Sequence, residues 1–256
     1  MDVLEGAIET AREAGALLLE RAGGELDVRE KGLRGDLVTE ADRASEALIV
    51  TRLQRDFPGS SIVAEEGGAH RGTGEGRWIV DPLDGTTNYA HGYPLYCVSI
   101  AYARGGELIA GVVYAPALGE LYAAQRGAGA TRDGKRLRVS AVGRVADAMV
   151  CTGFMPARYE RNASRFAALS RKAQAVRRDG SAALDLAFTA AGRFEAFWEF
   201  DLHEWDVAAG ALIVREAGGT VTAIDGGRFE PIGGSILATN GFVHDEMVAA
   251  LSLAGD

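Results

Sequence analysis

Apolar residues near the N-terminus recur at intervals of three or four positions, which is the period of a helix. Within residues 2–22 they are Leu4, Ile8, Ala11, Ala14 and Leu18. This spacing predicts an amphipathic helix that ends at Gly23-Gly24, because glycine commonly terminates a helix. Thr39 suits an N-cap position and predicts the start of a second helix, which ends near Pro58-Gly59.

The rest of the chain follows two further patterns. After the second helix come a short apolar strand, SIVA, a glycine-rich loop and the strand WIVD. Residues 96–140 have the pattern of strands joined by turns, which predicts an antiparallel meander. From about Met149 strands and helices alternate, which predicts a sheet with helices packed on it. We therefore expect a layered α/β (α+β) fold, with an N-terminal subdomain at 1–143 and a C-terminal subdomain at 144–256.

Composition and charge narrow the classes of partner. With 256 residues, 47% hydrophobic and 25% charged, the chain can bury one large core or two smaller layers. A net charge of -9 disfavours nucleic acid as the main partner. The sequence has no secretory start and no apolar run near the roughly 20 residues that span a bilayer, so we expect a cytoplasmic protein without a membrane partner. Cys97 and Cys151 lack metal-ligand spacing and are expected to be reduced thiols in the core.

The segment WIVDPLDGTTNYAHG at 78–92 contains the strongest candidate chemistry. Asp81 and Asp84 flank a proline, so both carboxylates and the Leu83 carbonyl can converge on one point, and ligands that are all oxygen suit a hard cation such as magnesium. Gly85-Thr86-Thr87 would open a helix whose free N–H groups attract an anion. The alternative is structural, with the aspartates capping a turn and a helix. A metal beside an anion suggests phosphate.

Acidic residues in three other segments have both a structural and a functional interpretation. Glu65 and Glu66 follow an apolar strand and could project into a cleft or be solvated loop charges. Asp206 could bind a metal or interact with the dipole at the start of its helix. Asp42 lies one turn into the second helix, where it could complete a capping box with Thr39. Each signal is weak alone, and only their combination indicates a function.

Four segments, in this order, resemble the inositol monophosphatase family. They are DLVTEAD at 36–42, AEEGG at 64–68, WIVDPLDGTTNYAHGYP at 78–94 and WDVAAGALIVREAGG at 205–219. The resemblance extends over nearly the whole chain. It implies an αβαβα five-layered sandwich of the sugar phosphatase type, usually a homodimer, with two or three Mg²⁺ ions and inhibition by lithium. The metal-site loop at Lys31–Gly35 departs in part from the family pattern, so the resemblance leaves open how it closes.

The resemblance also implies a set of metal ligands. Glu65, Asp81 and the carbonyl of Leu83 would bind one magnesium ion. Asp81, Asp84 and Asp206 would bind the second, so that Asp81 bridges the two. A third, weaker ion would lie near Glu65.

The chemistry of phosphate monoester hydrolysis assigns further roles. It needs a nucleophilic water in line with the leaving group and stabilisation of the phosphoryl oxygens. No Ser-His-Asp or Cys-His nucleophile is apparent in the sequence, so direct attack by a metal-activated water is expected, with Glu65 in the catalytic set. Asp42 would accept the hydroxyl hydrogen of Thr86, whose oxygen would then orient the water. Gly85, Thr86 and Thr87 would bind the phosphate.

The alcohol part of the substrate is assigned to a different part of the chain. Gly180, Ser181 and Ala182 lie between a predicted strand and a predicted helix, so their N–H groups are expected to be free for substrate hydroxyls. Glu199, at the end of the strand FEAFWE, offers a carboxylate. Both match substrate-contacting positions in the family, and Asp206 completes the substrate-binding set. The structural alternatives are a helix cap for Ser181 and a loop charge for Glu199.

The expected function is therefore a magnesium-dependent phosphomonoesterase that acts on inositol 1-phosphate and related polyol or sugar phosphates. Arg177 and Arg178 could bind a second phosphate, which keeps fructose-1,6-bisphosphate open as a substrate. Phosphatases of nucleotide 2′- or 3′-phosphates and of histidinol phosphate are further alternatives. A non-catalytic regulatory protein on the same fold is an alternative of another class. It is disfavoured because clustered acidic groups repel one another without metal.

Overall fold

A computed structural model describes residues 1–23, 29–30, 37–154, 159–231 and 234–253 of the chain. The loop at Lys31–Gly35 lies outside these residues. The segments on either side of it pair as a short antiparallel ribbon of β1 (Arg29–Glu30) and β2 (Leu37–Val38).

Two helices form the first layer. They are α1 (Val3–Arg21) and α2 (Glu40–Asp56), so both predicted N-terminal helices are confirmed. Asp2 caps α1 by accepting a hydrogen bond from the N–H of Leu4 at 2.9 Å. The buried apolar faces of both helices pack against one face of a large sheet.

Eight strands form that sheet, which is the second layer. They are β3 (Ser61–Ala64), β4 (Gly68–His70), β5 (Gly76–Asp84), β6 (Cys97–Arg104), β7 (Glu107–Ala115), β8 (Glu120–Gln125), β9 (Gly129–Arg132) and β10 (Lys135–Arg136). Their order across the sheet is β10-β9-β8-β7-β6-β5-β3-β4. From β6 to β10 neighbouring strands are antiparallel, which confirms the predicted meander. β3 and β5 run parallel, and the short helix α3 (Thr86–Ala90) follows β5.

The third layer consists of two central helices, α5 (Ala182–Ala190) and α6 (Glu204–Glu216). Every residue of α5 is buried, and side chains from the large sheet and from a second sheet join these helices in one core. The helices pack so closely that a Cβ added at Gly210 would lie 2.5 Å from the Cβ of Leu186. Glycine at this position therefore sets the spacing of the layer.

The second sheet and its outer helices complete the molecule. The strands are β11 (Met149–Thr152), β12 (Ala175–Arg177), β13 (Ala196–Phe200), β14 (Thr220–Thr222) and β15 (Ser235–Thr239), in the order β12-β11-β13-β15-β14. A 3₁₀ helix at Val145–Asp147 precedes β11. The outer face packs against α4 (Glu160–Lys172) and α7 (His244–Leu253).

The sequence of layers is helix, sheet, helix, sheet, helix, which confirms the predicted fold class. The division into 1–143 and 144–256 stays a prediction, since α5 and α6 share one core with both sheets. Cys97 and Cys151 are buried free thiols, as predicted. Within the described residues, no helix combines the length and the apolar character needed to cross a bilayer.

Candidate active site

The candidate site begins at a β-bulge where β5 ends. Between Asp81 and Asp84, β5 advances by three residues, while its partner β6 advances by two, from Ser99 to Cys97. The extra residue redirects the strand, as bulges near active sites often do. The bulge contains Pro82, which lacks the N–H that a regular ladder requires. It leaves Asp81 with an exposed fraction of 2%.

Two further carboxylates reach the same place from other parts of the chain. Because β3 runs parallel to β5, Glu65, which directly follows β3, lies at the same edge of the sheet as the end of β5. Asp206 lies in the first turn of α6, where its Oδ2 accepts a hydrogen bond from the N–H of His203 at 2.6 Å. The structure thus brings together Glu65, Asp81, Asp84 and Asp206, the four side chains expected to bind metal.

Electrostatic repulsion links these four groups. Burial raises the pKa of Asp81 well above its usual range, and the charges of Glu65, Asp84 and Asp206 raise it further. Burial raises the pKa of Asp206 in the same way, with Asp84 and Glu65 adding to it. Burial raises the pKa of Asp84 as well, but only to about 6, because hydrogen bonds to its carboxylate limit the rise. The largest of these contributions is from Ser181. Oxygen ligands that repel one another in a buried place fit a hard divalent cation, which would neutralise them.

Asp42 uses its two carboxylate oxygens for two different purposes. Its Oδ2 accepts a hydrogen bond from the N–H of Thr39 at 2.8 Å and so completes the capping box of α2. Its Oδ1 accepts from the hydroxyl of Thr86 at 2.8 Å. The same hydroxyl lies 3.1 Å from the carbonyl oxygen of Leu83 and, having one hydrogen, can donate fully to only one of the two. The capping and the catalytic interpretations of Asp42 are therefore compatible.

The predicted phosphate-binding positions lie at the start of α3. Gly85 precedes the helix with φ 91°, in the left-handed region that favours glycine. Thr86 and Thr87 form the first turn, where N–H groups have no intrahelical partner. Asn88 donates from Nδ2 to the carbonyl oxygen of Asp179 at 2.8 Å. This bond joins α3 to the turn before α5.

The turn before α5 is bonded to Asp84. Gly180 has φ 83°, and the hydroxyl of Ser181 donates to Oδ2 of Asp84 at 2.8 Å. The N–H of Ala183 donates to the same oxygen at 2.7 Å, and the N–H of Ala182 also stabilises the charged form of Asp84. Asp84 thus draws on donors of this turn, and the assignment of Gly180, Ser181 and Ala182 to substrate hydroxyls stays a prediction. Ser181 also makes no side-chain cap to α5.

Glu199 lies inside β13 with an exposed fraction of 9%, so it is not a loop charge. Burial and, to a smaller extent, the charge of Asp84 raise its pKa to about 8, and the charge of Arg178 opposes the rise. Gly153 lies directly against this carboxyl group, since an added Cβ there would lie 2.2 Å from Oε2 of Glu199. Sequence reasoning missed Gly153 and Asn88. The available signals were a glycine at the end of a strand and the asparagine that closes DGTTN.

The two candidate arginines differ in position. Arg178 lies over the ring of Phe154, 5.0 Å from its centre, and donates to the Phe154 carbonyl at 2.9 Å. From there its charge acts on Glu199. The charge of Arg177 acts on Asp179 instead. Of the pair, Arg178 is the one placed beside the candidate substrate carboxylate.

The fold has five layers, and four carboxylates that repel one another meet beside a threonine bonded to a buried aspartate. This combination defines the class of metal-dependent phosphatases. The model of the inositol monophosphatase family matches residues 1–254. The chain belongs to the inositol monophosphatase family, and it is an enzyme of the phosphatase class.

Individual relatives agree with this assignment over almost their full length. An inositol-1-monophosphatase from Mesorhizobium japonicum is 43% identical and covers 97% of this chain and 96% of its own. A protein named Nus factor SuhB from Pseudomonas aeruginosa is 45% identical, and the match covers 93% of this chain and 91% of the relative. A fructose-1,6-bisphosphatase/inositol-1-monophosphatase from Thermotoga maritima is 37% identical, covering 98% and 96%. The crystal structure of the extragenic suppressor protein suhB from Bartonella henselae superposes with a TM-score of 0.94 at 39% identity, covering 97% and 98%.

Proposed function

We propose that the protein is a magnesium-dependent phosphomonoesterase that hydrolyses inositol 1-phosphate and related polyol or sugar phosphates. The observation that carries the proposal is the convergence of Glu65, Asp81, Asp84 and Asp206 next to the bonded pair of Asp42 and Thr86. The inositol-1-monophosphatases among the relatives support the substrate class.

In this proposal, Glu65, Asp81, the carbonyl of Leu83, Asp84 and Asp206 bind the metal ions. When bound, magnesium would polarise the attacking water and neutralise the leaving oxygen of the ester. Oxygen donors without nitrogen or sulfur match the ligand preference of magnesium.

The remaining residues orient the reactants. Asp42 accepts the hydrogen of the Thr86 hydroxyl, so the lone pairs of Thr86 Oγ1 are directed to the attacking water and fix its position. The N–H groups at Gly85, Thr86 and Thr87 bind the phosphoryl oxygens, because they lie at the start of α3. Glu199 and the turn at Gly180, Ser181 and Ala182 recognise the substrate hydroxyls.

A phosphate-release panel with magnesium tests the substrate. The compounds are inositol 1-phosphate, glycerol 2-phosphate, a nucleoside 2′-monophosphate, histidinol phosphate and fructose-1,6-bisphosphate at matched concentrations. We expect inositol 1-phosphate to be among the best. If its kcat/KM is under about a hundredth of that of the best compound, a gap of about 2.7 kcal/mol, the inositol assignment is wrong. Glu199→Ala should then change the ranking of substrates more than the rate on the best one.

A second candidate substrate is fructose-1,6-bisphosphate. The position of Arg178 beside Glu199 and the bifunctional Thermotoga relative favour it. Arg178→Ala should lower kcat/KM for the bisphosphate about tenfold more than for inositol 1-phosphate, because only the former has a second phosphate. Arg177→Ala is the matched control and should not discriminate. Equal losses on both substrates would reject the assignment.

Assembly, inhibition and a binding role are also part of the proposal. The family resemblance supports a cytoplasmic homodimer that lithium inhibits, and light scattering and a lithium titration of activity test these points. The relative named as a Nus factor supports a regulatory role beside catalysis. If deletion of the gene impairs growth and the Asp81→Asn variant restores it, the regulatory role is separate from phosphatase activity.

A further inference from the structure

A second group of side chains of the types that can bind metal lies where β11, α5 and the turn before α5 meet. Cys151 is on β11, Asp179 is in the turn, and Asp185 is on α5. One ligand atom from each side chain lies within 4.8 Å of the others. In the part of the chain that the structure describes, no other three side chains of His, Cys, Asp or Glu gather this closely. None of the three belongs to the catalytic set.

An unpartnered oxygen in this group calls for a ligand. Asp185 has an exposed fraction of 1%, and its buried Oδ1 has no hydrogen-bond partner among the described residues. A buried acceptor without a donor destabilises the folded state, and more so when it is charged. The thiol of Cys151 offers the carboxyl group only a weak S–H donor.

The ionised forms of these side chains are also disfavoured while no cation is bound. Burial raises the pKa of Asp185 well above its usual range, and the charge of Asp179 raises it further. Burial also raises the pKa of the Cys151 thiol, with Asp185 and Asp179 adding to it. Arg177 acts on Asp179 from the surface. A divalent cation among the three side chains would satisfy the free oxygen and neutralise the charge together.

We propose that Cys151, Asp179 and Asp185 form a second metal site, and that its ion is Zn²⁺ and not Mg²⁺. A thiolate ligand selects a borderline-soft ion, whereas magnesium takes oxygen ligands. Sulfur and oxygen ligands of a tetrahedral zinc are about 3.5 Å apart. The three ligand atoms, which lie within 4.8 Å of one another, therefore need to close by at most about 1.3 Å, and water would be the fourth ligand. Binding releases the proton of the Cys151 thiol, and that of Asp185 where present, to solvent.

The position of the site indicates its role. The carbonyl of Asp179 is bonded to Asn88 on α3, and two residues further on Ser181 is bonded to Asp84. An ion bound to Asp179 and Asp185 would link this turn to the helix α5 that follows it. It would stabilise the turn without touching the substrate.

Cobalt absorption tests the site, because Co²⁺ replaces Zn²⁺ and gives a thiolate-to-cobalt charge-transfer band in the near ultraviolet only when a cysteine is a ligand. The full chain is stripped of metal with EDTA, dialysed and titrated with CoCl₂, and ZnCl₂ is then added. The variants are Cys151→Ser and Asp179→Asn. The controls are Cys97→Ser, which removes the other thiol of the chain, and Glu65→Gln, which alters the catalytic set.

We expect the band in the wild type and in both controls, and we expect zinc to abolish it. Cys151→Ser should lose it, and Asp179→Asn should weaken cobalt binding by at least about 10-fold, since loss of even a residue that only supports a metal ligand costs about this much. Asp179 is only partly buried, so Asp179→Asn keeps the test valid if Cys151→Ser does not fold. A wild type without the band, a band that survives Cys151→Ser, loss of the band in Cys97→Ser, or unchanged affinity in Asp179→Asn would each overturn the proposal.

Discussion

Asp84, which contacts the start of α5, and Asp185, which lies within α5, are two buried carboxylates with opposite hydrogen bonding. Oδ2 of Asp84 accepts hydrogen bonds from Ser181 at 2.8 Å and from the N–H of Ala183 at 2.7 Å. These donors limit the rise of its pKa to about 6, although burial favours the neutral form. Oδ1 of Asp185 has no such donor among the described residues. The protein thus preforms one carboxylate with its own dipoles and leaves the other to a proton or a cation.

The largest effect should come from Asp81, whose pKa is raised by burial and by the charges of all three of the other carboxylates in the catalytic set. Asp81→Asn should lower kcat by on the order of 10³-fold or more, because electrostatic stabilisation by the metal site is lost. The rise in Tm on adding magnesium should shrink with it. Kinetics and thermal melts with and without magnesium measure both, with exposed Asp147→Asn as control. Activity of the wild type that persists in excess EDTA would contradict the proposed dependence on metal.

The next effect concerns Asp42 and Thr86. Asp42→Asn and Thr86→Ala should each lower the rate by about 10²- to 10⁴-fold, and the double mutant should be little worse than either, because the two act as one unit. Thr39→Ala is the matched control, since it removes the hydroxyl that donates to the other oxygen of Asp42 at 2.5 Å. It should cost about 1 kcal/mol of stability and leave the rate nearly unchanged. Additive losses in the double mutant, with folding intact, would reject the coupling.

A moderate effect should follow when Asp84 is made more like Asp185. Ser181→Ala removes the largest of the hydrogen bonds that lower the pKa of Asp84. The magnesium concentration for half-maximal activity should rise about 10- to 100-fold, as for other supports of a metal ligand, while kcat at saturating magnesium changes little. Ser170→Ala removes a hydroxyl that bonds within α4 and serves as control. An unchanged magnesium requirement would show that the backbone donors suffice.

The last effect is on stability and not on rate, and it comes from Glu199. Its pKa is about 8 in the folded protein against an ordinary value of 4.5, so the folded state binds the extra proton between these values. The metal-free protein should therefore lose stability as pH rises from about 4.5 to 8, by on the order of a few kcal/mol from this group. Denaturant unfolding of Glu199→Gln should show a flatter pH dependence over that range. Exposed Glu75→Gln should keep the wild-type slope, and an equal slope in Glu199→Gln would contradict the assignment.

The sequence predicted the parts of the site that depend on local pattern or on strand order. Asp81 and Asp84 share one motif, and Glu65 follows from the parallel pairing of β3 with β5. The donors to Asp84 were not predictable. Ser181 is 97 residues away in sequence, and a serine that precedes a helix can equally bond to the N–H groups of that helix. The group of Cys151, Asp179 and Asp185 was missed for the same reason. Its members have no metal-ligand spacing, and only the packing of α5 on the second sheet brings them together.

The shared use of Asp42 has a consequence for the classification of related sequences. A descendant that loses catalysis but keeps the fold still needs the carboxylate of Asp42 to begin α2, because Oδ2 completes the capping box. Selection for folding alone therefore preserves this aspartate. Thr86 is not part of the capping box, so it can be substituted once catalysis is no longer under selection. Among distant homologues, the residue at the position of Thr86 should therefore distinguish active from inactive members better than the residue at the position of Asp42.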